Sequence, residues 1–315
     1  MYRNHKICAI IPVYNEQKQI KNVINELPDF FDQIIVIDDK SEDLTVSIIE
    51  QAQKSNEKII LIKKKIREGA GSAKKEGYLF ARKTSNDIFV TLDGDGQMDN
   101  NEVVDLIDPI IEDRYDFTKA NRLSHIEVFK NMPKHRFLGN SILTLFTKIA
   151  SGYWHVTDTQ TGFTACNRKV LESLPFEKLY HSYGYPNHLL VMLNIYNHRV
   201  GDIQSKPIYN VGEKSHINIF TVGFKIFWLL LKSFFWRLKE KFIIRDFHPL
   251  VFFYLFGIMF LLLSILLSFR LIFVWYDRGS IPSINALAAM FSFVSSSIFI
   301  LFAMWFDMDY NKDLK

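Results

Sequence analysis

Cysteine is nearly absent: Cys8 and Cys166 are the only two in 315 residues. Two thiols cannot build a disulfide framework or a four-ligand zinc site, and Cys8, set in an apolar strand pattern, reads as a small core residue. Charge of one sign is also scarce. A net charge of +4 and a pI of about 8.8 provide no basic footprint for nucleic acid, so no nucleic-acid partner is expected. The opening stretch, MYRNHKICAIIPVYNE, lacks an apolar run long enough for a secretory signal, so the first two-thirds are expected to stay in the cytosol. Aromatic side chains, by contrast, make up 15% of the chain, with 28 Phe, and crowd its end beyond residue 219.

The first hundred residues alternate. Residues 6–13 predict a strand, about 17–27 a helix, 33–37 a strand ending in Asp38-Asp39, 43–54 a helix, 58–62 a strand, 71–83 a helix and 87–92 a strand. That rhythm predicts an α/β fold with a parallel sheet and helices on both faces. In such sheets ligands bind beyond the carboxyl ends of the strands, and residues 12–16, 38–39 and 93–97 all fall there.

The stretch DIFVTLDGDGQ (87–97) is the most informative of these. Asp93 and Asp95 leave a strand end together, Gly94 lets the backbone turn so that both face one point, and Gln97 adds a neutral oxygen. Such a cluster suits Mg2+ or Mn2+, which keep open positions for water and substrate phosphates. An EF-hand is excluded, because counting from Asp93 puts Met98 and Val104 where that loop needs Gly and Glu. An ordinary turn and an aspartyl-nucleophile phosphohydrolase stay open from the motif alone. Gly69 and Gly71 lack the Walker spacing and its Lys-Ser/Thr ending, so they read as a close approach to a nucleotide or as a helix start.

Four segments occur in order: IIPVYNE (10–16), VIDDKSED (36–43), REGAGSAKKEG (67–77) and LDGDGQ (92–97). Together they resemble the nucleotide-sugar-binding half of the inverting family 2 glycosyltransferases, which have the GT-A fold. The resemblance implies that Pro12, Tyr14, Glu16, Asp38 and Asp39 contact base and ribose, with Gly71 and Gly94 close to the donor, while Asp93, Asp95 and Gln97 hold the metal and the diphosphate. The chain departs from the family at Lys40, where Gly is usual, and at Glu42, where Thr is usual.

Further on, DFTKANR (116–122) predicts a strand delivering Arg122 near the same crevice, and MPKHRFLGNSI (132–142) sets Lys134, His135 and Arg136 at a helix start. Basic groups beside a helix start form an anion site. Polyprenyl-phosphate members of the family carry Arg at both positions, so the resemblance implies that Arg122 and Arg136 grip an acceptor phosphate, with Asn140 as helper. TDTQTGF (157–163) is similar to the family's acceptor-side segment. Asp158 there is expected to orient the acceptor, to act as base, or simply to cap a loop; an ionised phosphate acceptor needs no strong base. GEKSH (212–216) resembles the segment in which a basic side chain closes over the diphosphate, with Lys214 and His216 as candidates. The processive Q-x-x-R-W motif is missing, which argues against cellulose- or hyaluronan-type synthases.

Between 219 and 244, Lys225, Lys232 and Lys239 recur every seven residues opposite Phe227, Trp228, Leu231, Phe234 and Phe235, as in a helix lying in a membrane surface. Residues 249–269 and 284–306 are uncharged runs long enough to span a bilayer. The connection at 277–283 has one basic residue while many precede the first span, so the positive-inside bias puts both hairpin ends and the catalytic domain in the cytosol, with Arg270 snorkelling to the far interface. Serines at 292 and 295–297 suggest helix packing and homo-oligomers. The expected organisation is a catalytic domain over 1–218, surface helices over 219–247 and a transmembrane hairpin over 248–315. The expected activity is metal-dependent, inverting transfer from a UDP- or GDP-sugar to a polyprenyl phosphate, undecaprenyl or dolichyl, at the cytosolic membrane face. The alternatives are a same-fold transferase to another lipid such as diacylglycerol, or a catalytically idle membrane scaffold.

Overall fold

The computed structural model describes residues 1–123, 134–206 and 219–315, with only the backbone described at 134–138 and 219–221. Those residues divide into two compact units, Met1–Phe234 with Leu314–Lys315, and Phe235–Asp313.

In the first unit, β1 (Ile7–Val13) pairs in parallel with β2 (Phe31–Asp38) on one side and β4 (Ile88–Thr91) on the other, and β2 pairs in parallel with β3 (Ile59–Lys63). Every residue of β1 is buried, the near-continuous apolar run of a strand covered on both faces. On one face α1 (Ile20–Asn25), α2 (Thr45–Ser55) and α4 (Val103–Ile111) bring Ile20, Ile49 and Leu106 onto Ile11, Val36 and Val90. On the other lies α3 (Ala70–Ala81), packed so closely that a Cβ on Gly77 would stand 2.8 Å from Ile37 Cδ1. The helix expected over 17–27 starts only at Ile20, because Glu16 O first accepts from the Gln19 and Ile20 amides in a turn.

The sheet has seven strands in the order β3-β2-β1-β4-β6-β5-β7. Here β6 (Thr164–Asn167) runs antiparallel to both β4 and β5 (Phe117–Asn121), and β5 pairs in parallel with β7 (Val200–Gln204). The sheet is therefore mixed. Four residues, TACN, are too few to carry a periodic signal, yet the reversal they make brings 157–163 to the same sheet edge as the ends of β1, β2, β4 and β5.

Three further helices complete this unit: α5 (Lys134–Ser151), α6 (Arg168–Ser173) and α7 (Tyr185–Ile195), followed by α8 (Ile219–Lys239), which continues into the second unit. In α8, Ile226, Leu230 and Phe234 are buried, while Lys225 and Lys232 are exposed. Phe234, expected on the outward apolar face, turns inward; Phe227 and Trp228 stay exposed. Phe227 meets Phe146 of α5 edge to face at 5.4 Å, and Ile142 and Leu145 of α5 are exposed as well.

In the second unit the end of α8 passes into a π-helical turn, Glu240–Arg245, and then into α9 (Leu250–Arg278) and α10 (Ser283–Tyr310). These helices have 29 and 28 residues, each with an 18-residue stretch of mean hydropathy 2.8 and 2.1 respectively, long and apolar enough to cross a membrane. Both outrun the expected spans. Asp277 and Arg278, expected in the connection, form the last turn of α9, and the chain reverses at Gly279, which takes the left-handed φ of +64°. A bilayer core needs about 20 residues of helix, so Arg270 sits about that far along α9. Phe253 packs on Phe299 and Phe306, and Ser296 Oγ donates to Gly257 O at 2.8 Å. Ser292 and Ser296 are thus buried within the hairpin.

A polar knot lies at the hairpin's end. Arg237 Nη1 and Nη2 donate to Asp307 Oδ1 and Oδ2 at 2.8 and 2.9 Å, with both side chains 0% exposed. Lys241 Nζ donates to Asn311 Oδ1 at 2.8 Å, and Asn311 Nδ2 donates to Asp307 Oδ1 at 2.9 Å. Breaking a buried pair strands a charge, whereas replacing both members does not. Arg237→Met is expected to cost about 3–5 kcal/mol and to lower the melting temperature of the detergent-purified protein. Arg237→Met with Asp307→Leu should recover most of that loss, as read by thermal unfolding.

Candidate functional site

Strand direction decides what meets at the sheet edge. Val13 pairs with Asp38 and Ile10 with Thr91, so β1, β2 and β4 end side by side. β5 runs the same way and delivers Arg122; β6 runs the opposite way and is entered through Asp158 and Gly162.

The first two strand ends are tied together. Asp39 N donates to Val13 O at 2.9 Å, Asn15 N to Ser41 Oγ at 3.0 Å, and Glu42 N to Asn15 Oδ1 at 2.8 Å. Ser41 N lies 3.1 and 3.2 Å from the two carboxylate oxygens of Asp38. Lys40 holds a φ of +65°, the left-handed conformation that glycine adopts without strain. That explains why Gly is usual at this position in the family the motifs resemble. Asp39 is enclosed: its carboxylate accepts from Lys64 Nζ at 2.9 Å, Glu68 N at 3.1 Å and Gly69 N at 2.7 Å. Its oxygens are committed to the loop that opens α3. Over the neighbouring surface the Arg67 guanidinium stacks on the Tyr14 ring at 3.7 Å. Pro12 is buried at the β1 end and Glu16 half-buried.

At the tip of β4, Asp93 pairs through Oδ1 with Lys74 Nζ at 2.7 Å. Gln97 N donates to Asp95 Oδ1 at 3.0 Å across Gly96, whose φ is +73°. Gly94 is needed because a Cβ there would stand 2.6 Å from Val13 Cγ1. Gly71, expected beside the donor, faces protein instead: a Cβ would strike the Tyr180 carbonyl oxygen, and Ser72 N donates to His181 O at 3.0 Å.

Tyr185, buried at the start of α7, marks where these groups converge. Burial raises its phenol pKa well above the usual value, the charges of Asp93 and Asp95 raise it further, and Arg122 acts in the opposite direction. Asp93 Oδ2 and Tyr185 Oη stand together, each within 3 Å of where a Cβ on Gly162 would lie. Arg122 is itself gripped by Asp158, with Nε to Oδ2 at 2.8 Å and Nη2 to Oδ1 at 3.0 Å, while its amide donates to Oδ2 at 3.0 Å. Asp158 is buried, with a φ of +44°. Burial pushes its pKa up, but the Arg122 charge and hydrogen bonds, with Lys119, outweigh that and hold it below the usual range. Asp202 secures the loop from beneath, accepting from Lys119 Nζ at 2.6 Å, Asn121 Nδ2 at 2.7 Å and the Thr157 amide at 3.1 Å.

Lys214 and His216 lie outside the described residues, as do the side chains of Lys134 and Arg136 in the first turn of α5; Asn140 is half-buried on that helix. The sequence reading passed over Arg67, Lys74, Tyr185 and Asp202. Arg67 and Lys74 lie within the 67–77 segment and Tyr185 and Asp202 in none of the quoted segments, and the part each plays comes from neighbours that the fold brings to it.

Among the described residues no three His, Cys, Asp or Glu side chains converge. A cation here would therefore have two carboxylates at most, Asp93 and Asp95, plus the Gln97 amide oxygen. That fits Mg2+ or Mn2+, which take one or two carboxylates and fill the rest of their shell with water and phosphate oxygens. The cradle beside them is cut to size: a Cβ on Gly162 would collide with Asp93 Oδ2 and stand 2.6 Å from Lys74 Nζ and 2.9 Å from Tyr185 Oη.

A mostly parallel sheet with paired aspartates and a basic group at its strand tips is a fold of the GT-A type. Residues 8–174 match the model of glycosyl transferase family 2, and the chain belongs to that family. The UDP-N-acetylglucosamine–dolichyl-phosphate N-acetylglucosaminyltransferase of Methanococcus voltae is 33% identical over 238 residues, covering 71% of this chain and 94% of that protein. A dolichyl-phosphate beta-glucosyltransferase of Trichomonas vaginalis is 25% identical over 177 residues, covering 52% and 53%. Among solved structures, glucosyl-3-phosphoglycerate synthase of Mycobacterium tuberculosis, crystallised with Mn2+, UDP and glucosyl-3-phosphoglycerate, superposes with a TM-score of 0.55 at 18% identity, covering 73% of this chain and 80% of that one. That likeness shows the fold.

Gly162→Ala is expected to reduce UDP binding at least tenfold, measured by calorimetry, because the new methyl occupies the space between Asp93 and Tyr185. Its unfolding temperature should fall by only a few degrees, since overpacking typically costs about 1–3 kcal/mol.

Proposed function

We propose that this protein transfers a sugar, with inversion, from a UDP- or GDP-sugar to a polyprenyl phosphate of the dolichyl or undecaprenyl type at the cytosolic face of a membrane. The observation that carries the reading is the sheet edge at which β1, β2, β4 and β5 end, with Asp93 and Asp95 at the β4 tip and Arg122, held by Asp158, after β5; this supports a cation site and an anion site on one edge. The Methanococcus relative supports UDP-N-acetylglucosamine as the first donor to test. The two apolar helices support a membrane address for the catalytic unit. The exposed Ile142, Leu145, Phe146, Phe224, Phe227 and Trp228 beside Lys225 and Lys232 support contact of that unit with an anionic bilayer surface.

Each residue has a task in this reaction. Asp38, Pro12, Tyr14 and Glu16 surround the nucleoside, with Arg67 over the Tyr14 ring. Asp39 acts at one remove, shaping the 68–69 turn. Asp95 and Gln97, with Asp93 behind them, are the oxygen set that would hold Mg2+ or Mn2+, and the ion when bound supplies Lewis-acid stabilisation of the departing diphosphate. Arg122, oriented by the bidentate grip of Asp158, meets the acceptor phosphate with Arg136, Lys134 and Asn140; Lys214 and His216 close over the diphosphate. The acceptor phosphate is already ionised near neutral pH and attacks without a general base. Asp158 is thus a positioning residue, held ionised by the cation it orients.

Membranes containing the protein should convert labelled UDP-N-acetylglucosamine or another UDP- or GDP-sugar, with polyprenyl phosphate, into an acid-labile lipid-extractable product. Absence of product with every common donor overturns the reading. Asp95→Ala should lower that rate at least about 100-fold with membrane insertion intact. Asp158→Asn should raise the KM for polyprenyl phosphate about tenfold or more while UDP affinity by calorimetry stays within threefold.

A further inference from the structure

Helix α5 is built inside out. Among its described side chains the buried ones are Thr144, Thr147, Ala150 and Ser151, three hydroxyls and a methyl, while Ile142, Leu145 and Phe146 are exposed and Leu143 and Ile149 half-buried. A helix normally turns its large apolar side chains to the core, and their burial holds it there. Small hydroxyl-bearing side chains remove little apolar surface from water, so α5 depends on hydrogen bonds for its place. Thr144 Oγ1 has no hydrogen-bond partner among the described residues, and Ser151 Oγ accepts from the nearby Tyr153 amide at 3.3 Å. The tie to other elements falls to Thr147.

Thr147 meets Asn187 of α7, and both are 0% exposed. Thr147 Oγ1 donates to Leu143 O at 2.8 Å, which commits its proton, and accepts from Asn187 Nδ2 at 2.6 Å. The second proton of that amide goes to Thr159 Oγ1 at 3.3 Å, and Asn187 Oδ1 accepts from Gln160 Nε2 at 3.0 Å. Both N–H bonds and the carbonyl oxygen of the amide are thus engaged. Turning the amide over would set its oxygen against a hydroxyl with no hydrogen left to give, so the arrangement has one orientation.

Thr159 and Gln160 follow Asp158, whose carboxylate grips Arg122. On the other side, α5 carries Lys134 and Arg136 in its first turn and Asn140 in its second. One buried amide therefore joins the helix that bears one half of the basic group to the loop that orients the other half.

Resting on the polyprenyl-phosphate reading above, we propose that Asn187 is a positioning residue for the acceptor: through Thr147 on one side and Thr159 and Gln160 on the other, it sets the distance between α5 and Arg122 and with it the width of the phosphate site. Asn187 and Thr147 are buried and act on the acceptor only through the groups they place. Apolar contact is non-directional and lets a helix slide along its neighbour, whereas an amide with both protons placed holds one register.

The test is steady-state transfer by the full chain in detergent, with a short-chain polyprenyl phosphate and a UDP- or GDP-sugar that wild type uses, alongside nucleotide affinity by calorimetry. Thr147→Val keeps the shape and removes the oxygen that Asn187 needs. It should raise the KM for polyprenyl phosphate about tenfold or more, since small misplacements of binding groups have effects of that size, while the KM for the nucleotide-sugar and the nucleotide affinity stay within threefold. Thr147→Ser keeps the oxygen and should stay within threefold of wild type throughout. Asn187→Leu with Thr147→Val replaces both partners by apolar groups, so its unfolding temperature should return close to that of wild type while the acceptor KM stays raised; a role in stability alone would restore both. A folded Thr147→Val protein with an acceptor KM within threefold of wild type overturns the proposal, as does an equal rise in the KM for the nucleotide-sugar, or recovery of acceptor KM together with stability in the double variant. If Thr147→Val does not fold, the double variant decides by the same readout, and if neither folds, Gln160→Met, which removes one arm of the tie from a half-buried position, decides in their place. Absence of product from wild type with every common donor overturns the acceptor reading itself, whereas normal wild-type transfer with unchanged variants removes only the role of Asn187.

Discussion

Carboxylates crowd one edge of the sheet, and three of them, Asp38, Asp39 and Asp158, are almost wholly buried. Ionised groups in such a place are tolerated only when fixed donors stand against them. The chain supplies one set per acid: the Ser41 amide for Asp38, Lys64 with two amides for Asp39, Lys74 for Asp93 and Arg122 for Asp158. Every functional feature of the first unit is built on this pairing. It holds the loops of β1, β2 and α3 in register, and it fixes which oxygens face the crevice.

The pairings also divide labour among residues of one type. Asp39 and Asp158 each spend their oxygens on shaping a neighbour, a turn in one case and a guanidinium in the other. A carboxylate with a bidentate cationic partner is a poor proton acceptor near neutral pH, which agrees with the proposed transfer to an ionised phosphate. Tyr185 is the common neighbour, a buried phenol kept neutral by burial and by two anions.

The second unit solves a different problem by similar means. Its two long helices pack through Phe rings and through a Gly257 backbone that accepts from Ser296. Asp307, near the end of α10, is drawn into the buried knot with Arg237, Lys241 and Asn311. The bidentate pairing of the Arg237 Nη atoms with Asp307 is what allows charge to remain there.

Much of this was legible in the residues themselves. Alternating apolar runs and helical stretches predict the parallel half of the sheet, since a strand buried on both faces needs a continuous hydrophobic run and leaves that mark in order. The acidic tips, the match to family 2 and the two apolar spans are local strings, and local strings survive being read in one dimension. Only the tertiary structure could decide the rest. The reversal of β6, the sinking of Lys74 beneath Asp93, the grip of Asp158 on Arg122, the inward turn of Gly71 and the pairing of Arg237 with Asp307 all depend on groups distant in sequence. Charge compensation is set by distance in space, and no spacing along the chain encodes it.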